Sequence, residues 1–247
     1  MIGALYLRRK LAKVLQLLAQ LVDPLHMSSD QGAVTQGIGE KKVFISGYNK
    51  TGTTSLKRLF QNWGFSIGNE AVGHILTEDW LVHGRTDRIL GYVETAQVFQ
   101  DKPFSTDGLY KVLDEAYPDA VFILSVRASD QEWYDSWIRH HVNRYSGDPR
   151  RLPTLEELKG NCNWLYKGYF FDSDAMQWGE ENIYNEEVYK AGYNRHIAEV
   201  RAHFEGRPGK LLEICLSRPG ELTRLKRFLA VKSNDVEFPH ENRSRRQ

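Results

Sequence analysis

The chain is poor in cysteine, in excess charge and in long apolar runs, and each shortage removes a class of protein. Only Cys162 and Cys215 occur in 247 residues, far apart and outside any metal or redox spacing. That fits two reduced thiols in a cytoplasmic protein, not a disulfide scaffold or a zinc module. Lysine plus arginine number 33 against 32 acids, a formal charge of +1, so no global field selects nucleic acid or a membrane as main partner. No apolar run is long and clean enough for a transmembrane span. No internal repeat is visible. What is present is 41% hydrophobic residues, enough for a real core, in a length that suits one domain with appendages.

The first 41 residues stand apart. Leu7, Leu11, Val14, Leu18, Leu21 and Leu25 alternate four and three apart, an apolar helical seam. Arg8, Arg9, Lys10 and Lys13 make its start basic, and Pro24 sets its end near Asp23. Lysine and glutamine interrupt the seam and no small-residue cleavage site follows it, which argues against a signal peptide. Such an amphipathic helix can pack on its own domain, pair with a second copy in a homodimer, or lie on a membrane surface. The first reading is preferred. Met27 to Lys41 is rich in Ser, Gln and Gly and reads as a linker. The folded domain is expected over residues 42–242, with a basic tail at 243–247.

Within that domain, strand and helix signals alternate. Val43 to Ser46 is a short apolar strand bounded by Gly47; Leu56, Leu59, Phe60 and Trp63 then recur at helical spacing, with Gly64 as C-cap. Ala96 to Gln100 is a candidate strand, Leu109 to Tyr117 a helix stopped by Pro118. Val121 to Val126 is apolar enough to be buried on both faces. Ser129 and Glu132 form a capping-box pair, and Trp133, Trp137 and His141 mark one helix face. Residues 185–205 predict a long helix, Lys210 to Leu216 a strand, and a helix starts near Pro219 and runs to Phe228. The pattern predicts an α/β fold: a three-layer, P-loop-type parallel sheet with helices on both faces and ligands beyond the carboxyl ends of its strands.

At the first of those ends stands GYNKTGTTSL, residues 47–56. Gly47 and Gly52 keep the glycine spacing of a nucleotide phosphate loop, but Thr53 occupies the place of its lysine, and the only lysine is Lys50, inside the loop. A magnesium-dependent triphosphate enzyme also takes an Asp from a second buried strand. Here the best strand, VFILSV, ends in Arg127, a fixed cation suited to bidentate phosphate binding without metal. Ser136, on the following helix, can add a hydroxyl to the same anion. Two phosphate sites and no evident metal site suggest a nucleotide phosphorylated at two places.

The loop resembles the G-x-x-K-[ST]-G-T-[TS] motif of sulfotransferases that use 3′-phosphoadenosine 5′-phosphosulfate (PAPS), and YPDAVFILSVRASDQEWYDSW looks like their 3′-phosphate motif. AQVFQDKPFS and FPHEN resemble a bacterial-type branch. The likeness spans roughly Lys42 to Asn242, and departs where Ala128 replaces the Asp usual after the motif arginine and where the loop to Ser136 is one residue longer. It implies PAPS as co-substrate and no metal. It implies that the backbone N–H groups of residues 50–55 cradle the phosphosulfate at a helix N-terminus, Gly52 included. Lys50 sits against the bridging oxygen. Thr51, Thr53, Thr54 and Ser55 supply hydroxyls, or cap the helix. Arg127 and Ser136 hold the 3′-phosphate.

The acceptor, a small molecule or saccharide, must lose a proton. Asp101 is the candidate base, at the end of a strand expected beside the loop. Equally, it can pair with Lys102 or accept local N–H groups. Lys102 resembles a family lysine that faces the sulfuryl group, or is simply a solvated lysine. Glu70, His74, His83 and Glu94 lie where other branches place their base. Arg144 to Asn182, with Trp164, Tyr166, Tyr169, Phe170, Phe171 and Trp178, can form an aromatic lid or simply pack on the core. Arg243 or Arg245 can reach the 3′-phosphate, or belong to a solvated tail. Two rival functions remain: a P-loop kinase or hydrolase using ATP and magnesium, with Asp101 as the metal-binding acid, and a non-catalytic member that binds a nucleotide or a partner.

Overall fold

The computed structural model describes residues 37–161, 164–166, 169–172 and 177–239. The N-terminal seam, the basic tail, Cys162 and the side chains of the aromatic segment from Trp164 to Trp178 lie outside the described residues.

Four parallel strands make the central sheet: β1 (Val43–Ile45), β2 (Val98–Phe99), β3 (Val121–Ser125) and, further along, a strand over Leu211–Ile214, in the order β2, β1, β3 and then this last strand. Val43 pairs with Val98 on one side and Val121 on the other. The chain thus leaves β1 to one side for β2 and to the other for β3. Its crevice at the carboxyl ends falls at β1, where the phosphate loop begins.

The strands lack polar alternation because both faces are covered. Phe44, Phe122 and Leu124 enter one apolar cluster, while Val43, Ile45, Val121 and Ile123 enter the other. The first cluster is closed by α4 (Leu109–Ala116), α5 (Asp130–Tyr145) and α7 (Glu186–Phe204), the second by α1 (Thr53–Asn62) and α8 (Glu221–Phe228). The last strand of the sheet takes the label β7, after the small sheet described below. Phe122 is 0% exposed; truncating such a ring costs about 3–5 kcal/mol.

The ends of α1 and α7 explain their lengths. Past α1, Gly64 adopts φ 77°. Gly64 N–H donates to the Gln61 carbonyl at 2.9 Å and Phe65 N–H to the Phe60 carbonyl at 3.0 Å, with the two phenyl rings edge to face. This is a Schellman closure with its apolar contact. At α7 the Asn185 side chain accepts from Val188 N–H.

Two regions differ from expectation. Residues 67–95, read only as a source of catalytic bases, form α2 (Glu70–Leu81) and α3 (Asp87–Val93). The signal was Asn69, whose side chain caps Ala71 N–H, but no sharp apolar stripe follows it. Within the irregular aromatic segment, α6 (Leu155–Asn161) precedes an antiparallel sheet of β4 (Trp164–Tyr166), β5 (Tyr169–Asp172) and β6 (Gln177–Trp178). Strands of two to four residues give too little period to read.

Candidate active site

Gly47 and Gly52 have different reasons to be glycine. A Cβ on Gly47 would lie 2.2 Å from the Ser125 carbonyl oxygen, so only glycine lets the loop cross the end of β3. Gly52 takes φ 98° as the N-cap of α1. Having no side chain, it leaves the first-turn amides of α1 without a side-chain cap, and that turn holds no acid. The positive end of the helix is open to an anion.

Consecutive carbonyls of the loop are turned inward and occupied. The Tyr48 carbonyl accepts from Thr51 Oγ1 at 2.6 Å, that of Asn49 from Trp133 Nε1 at 3.0 Å, and that of Lys50 from Arg127 Nε at 2.5 Å. Peptide units so held aim their N–H groups the other way, the condition for an anion nest. Lys50 itself sits at φ 72°, partly exposed.

The two predicted phosphate motifs therefore meet. Besides the Lys50 carbonyl, Arg127 reaches Ser136 Oγ at 3.4 Å and pairs with Glu132 at 3.0 Å. Its backbone N–H donates to the Tyr193 hydroxyl at 2.9 Å, and the Tyr193 ring stacks on Trp133, centroids 4.5 Å apart. Beside it opens a cleft of about 310 Å³ whose walls include Ser129, Asn194, Arg201 and Arg218. Arg201 is engaged bidentately by Glu213 at 2.5 and 2.6 Å, whereas Arg218 makes no side-chain bond among the described residues.

Three expectations need correction here. Thr51 is 2% exposed and its hydroxyl is spent inside, on the Tyr48 carbonyl and on Ser125 Oγ at 2.7 Å. No threonine caps α1, because Gly52 holds that position. The capping box is half closed: Ser129 accepts from Glu132 N–H, but the Glu132 carboxylate turns to Arg127 and to Ala128 N–H at 3.2 Å. The guanidinium is the stronger partner for a carboxylate. Of the remaining loop side chains, Thr53 and Ser55 are buried and Thr54 is exposed.

Across β1, the predicted base candidates separate into groups. Asp101 follows β2 with φ 62°, a left-handed conformation that aspartate tolerates. One of its oxygens accepts Lys102 N–H at 2.9 Å and the other lies 3.7 Å from His74 Nε2. Glu70, one turn before His74 on α2, pairs with Lys57 at 2.9 Å and accepts from the Gln100 amide. A cleft of about 430 Å³ opens there, with Lys57, Gln61, Asn69 and Glu70 in its walls. His83 lies two residues past the end of α2 at Leu81, which is itself about 10 Å of helix rise from His74, and Glu94 accepts the Tyr117 hydroxyl at 2.7 Å at the surface. Neither shares the group formed by Glu70, His74 and Asp101.

Sequence reasoning read Glu132 only as a capping residue, and missed Tyr193, Arg218 and a buried pair behind the loop, His196 and Asp107. Each depends on α7, β7 or the segment before α4 folding back on the loop, which no local pattern announces.

A glycine loop after β1, followed by a helix start with no side-chain cap and joined to an arginine after a parallel neighbouring strand, defines an α/β phosphate-loop protein. The sulfotransferase domain family model matches residues 42–246, and the chain belongs to that family. No curated protein matches the chain.

Proposed function

We propose that the protein transfers a sulfuryl group from PAPS to a hydroxyl or amine of a small-molecule or saccharide acceptor. One observation carries this reading. Arg127 bonds the carbonyl of Lys50 while Ser136 touches the same guanidinium, so two anion sites share one wall. In this reading a nucleotide with a 5′-phosphosulfate and a 3′-phosphate spans both sites.

In this reading the acceptor oxygen or nitrogen attacks sulfur and the bond from sulfur to the bridging oxygen breaks. The bridging oxygen leaves with the 5′-phosphate, and the acceptor proton passes to a base. The amides of residues 50–55, with the Thr53, Thr54 and Ser55 hydroxyls, hold the 5′ group. Lys50 neutralises the charge that grows on the leaving oxygen. Thr51 contributes its amide, its hydroxyl bracing the loop. Arg127 and Ser136 take the 3′-phosphate, and Arg218 is close enough along the same cleft to add charge. Asp101 serves as base, with Lys102 toward the sulfuryl oxygens and His74 steadying the carboxylate. The polar walls around Glu70 and Asn69 suit a hydroxyl-rich acceptor.

The test is thermal unfolding of the full chain with adenosine 3′,5′-bisphosphate, against ATP plus magnesium. A ligand of the native state at 100 times its Kd adds about 2.7 kcal/mol. The expected result is a shift with the bisphosphate that Arg127→Ala abolishes. A shift with ATP and magnesium alone overturns the reading in favour of a kinase, and no shift with either favours a non-catalytic binding role.

A further inference from the structure

The phosphate loop has a second anchorage, on the side away from the donor, that the transfer chemistry above leaves without a task. His196, on α7, is 1% exposed. Its Nε2 lies 2.7 Å from the carbonyl of Ser46, the last residue before the loop, and its Nδ1 lies 2.9 Å from Asp107 Oδ1. Tyr48, in the loop, donates its hydroxyl to the same Asp107 oxygen at 2.5 Å and stacks its ring on the imidazole, centroids 4.3 Å apart.

A carbonyl oxygen only accepts, so Nε2 carries a hydrogen. Burial alone pushes the Asp107 carboxyl up, but the hydrogen bonds from His196 and Tyr48 and the charges of His196 and Arg195 outweigh it and hold the group below its ordinary value. Asp107 is thus a carboxylate held between the imidazole and the Tyr48 hydroxyl, in a place where an unmatched polar group is costly. The surroundings add one charge of each sign. Arg195, also on α7, lies 3.6 Å from Asp107 Oδ2, and Glu199, one turn on, acts on the Tyr48 and Tyr110 hydroxyls. Tyr110 of α4 sets its ring edge against His196, and Trp80 of α2 donates to the Asp107 carbonyl at 3.3 Å.

We propose that His196 and Asp107 are a positioning pair for sulfuryl transfer. The imidazole ties the end of β1 to the carboxylate that fixes Tyr48, and the loop keeps its aim only while that bridge is intact. The functional part of this rests on the loop being the donor site; the pair itself touches no substrate.

The experiment compares the amides of Gly47 to Ser55 by NMR in the full-length protein and in His196→Gln, Asp107→Asn and Tyr48→Phe, all at one pH. Each variant should shift those amides while the rest of the sheet stays as in the wild type. Tyr48→Phe keeps the ring and deletes only the hydroxyl, so it reports on the loop without removing the pair. Turnover of PAPS with water as acceptor should fall about tenfold or more in each variant, while the Kd for the bisphosphate changes less than about threefold, because small misplacement costs rate before it costs binding. Loop amides that ignore all three variants, or affinity that falls as far as rate, overturn the pair. Failure of the wild type to bind the bisphosphate sinks the donor reading instead, and the NMR result still decides whether the pair sets the loop.

Discussion

On the β3 side of the sheet's rim, the loop's carbonyls are gripped by Thr51, Trp133 and Arg127 at 2.5–3.0 Å, and Tyr193 and His196 of α7 brace it from behind. On the β2 side, Asp101 and His74 face each other at 3.7 Å with the histidine 49% exposed, and Lys57 and Glu70 pair near the surface. The first half is fixed before any ligand arrives. The second is held by contacts that water competes for. In the proposed reading the donor lies against the fixed half, where rigidity serves positioning, and the acceptor against the open half, whose exposed polar side chains can change without disturbing the fold.

The largest effect tests the rigid half. Lys50→Ala should lower turnover by about 10²–10³ through loss of charge stabilisation on the leaving oxygen, with a smaller loss of bisphosphate affinity, since the cradle is mainly backbone. Equal losses in rate and affinity would make Lys50 a binding residue and blur the division between the halves.

The next prediction probes the open half. Asp101→Asn should lower the rate by about 10²–10⁴ if the carboxylate takes the acceptor proton, and should leave bisphosphate binding in place. His74→Gln should cost much less, as the contact at 3.7 Å steadies without reacting. If His74→Gln has the larger effect, the two exchange roles and the histidine is the base. Kinetics with a saturating donor and any accepted acceptor separate these outcomes.

The same contrast decides what the sequence could tell. The sheet was legible because β1 and β3 are unbroken apolar runs, a pattern forced by cover on both faces. The glycine loop and Arg127 were legible because each follows directly on a strand. Which loop hydroxyl turns inward was not, because Thr51 and Thr53 look alike until Ser125 supplies a partner. Helix α2 was hidden because it presents no sharp apolar stripe: Gly73 and Asp79 are among its buried residues, and Glu70 and His74 face the rim. His196 was one histidine among eight, with nothing local to mark it.

The smallest effect is the finest test of that inward turn. Thr51→Val keeps the shape and deletes one hydroxyl, leaving the Tyr48 carbonyl and Ser125 Oγ short of a partner in a site that is 1–2% exposed. The expected loss of stability is about 1–3 kcal/mol, seen as a fall in Tm of roughly 2–4 °C for each kcal/mol at this chain length. Bisphosphate affinity should barely move, because the hydroxyl points away from the anion. The opposite pattern, an unchanged Tm with affinity down about tenfold or roughly 1.4 kcal/mol, would turn Thr51 outward and make its hydroxyl a ligand. The grip on the Tyr48 carbonyl would then have to come from elsewhere, and the rigidity assigned to this half of the rim would rest on Trp133, Arg127 and His196 alone.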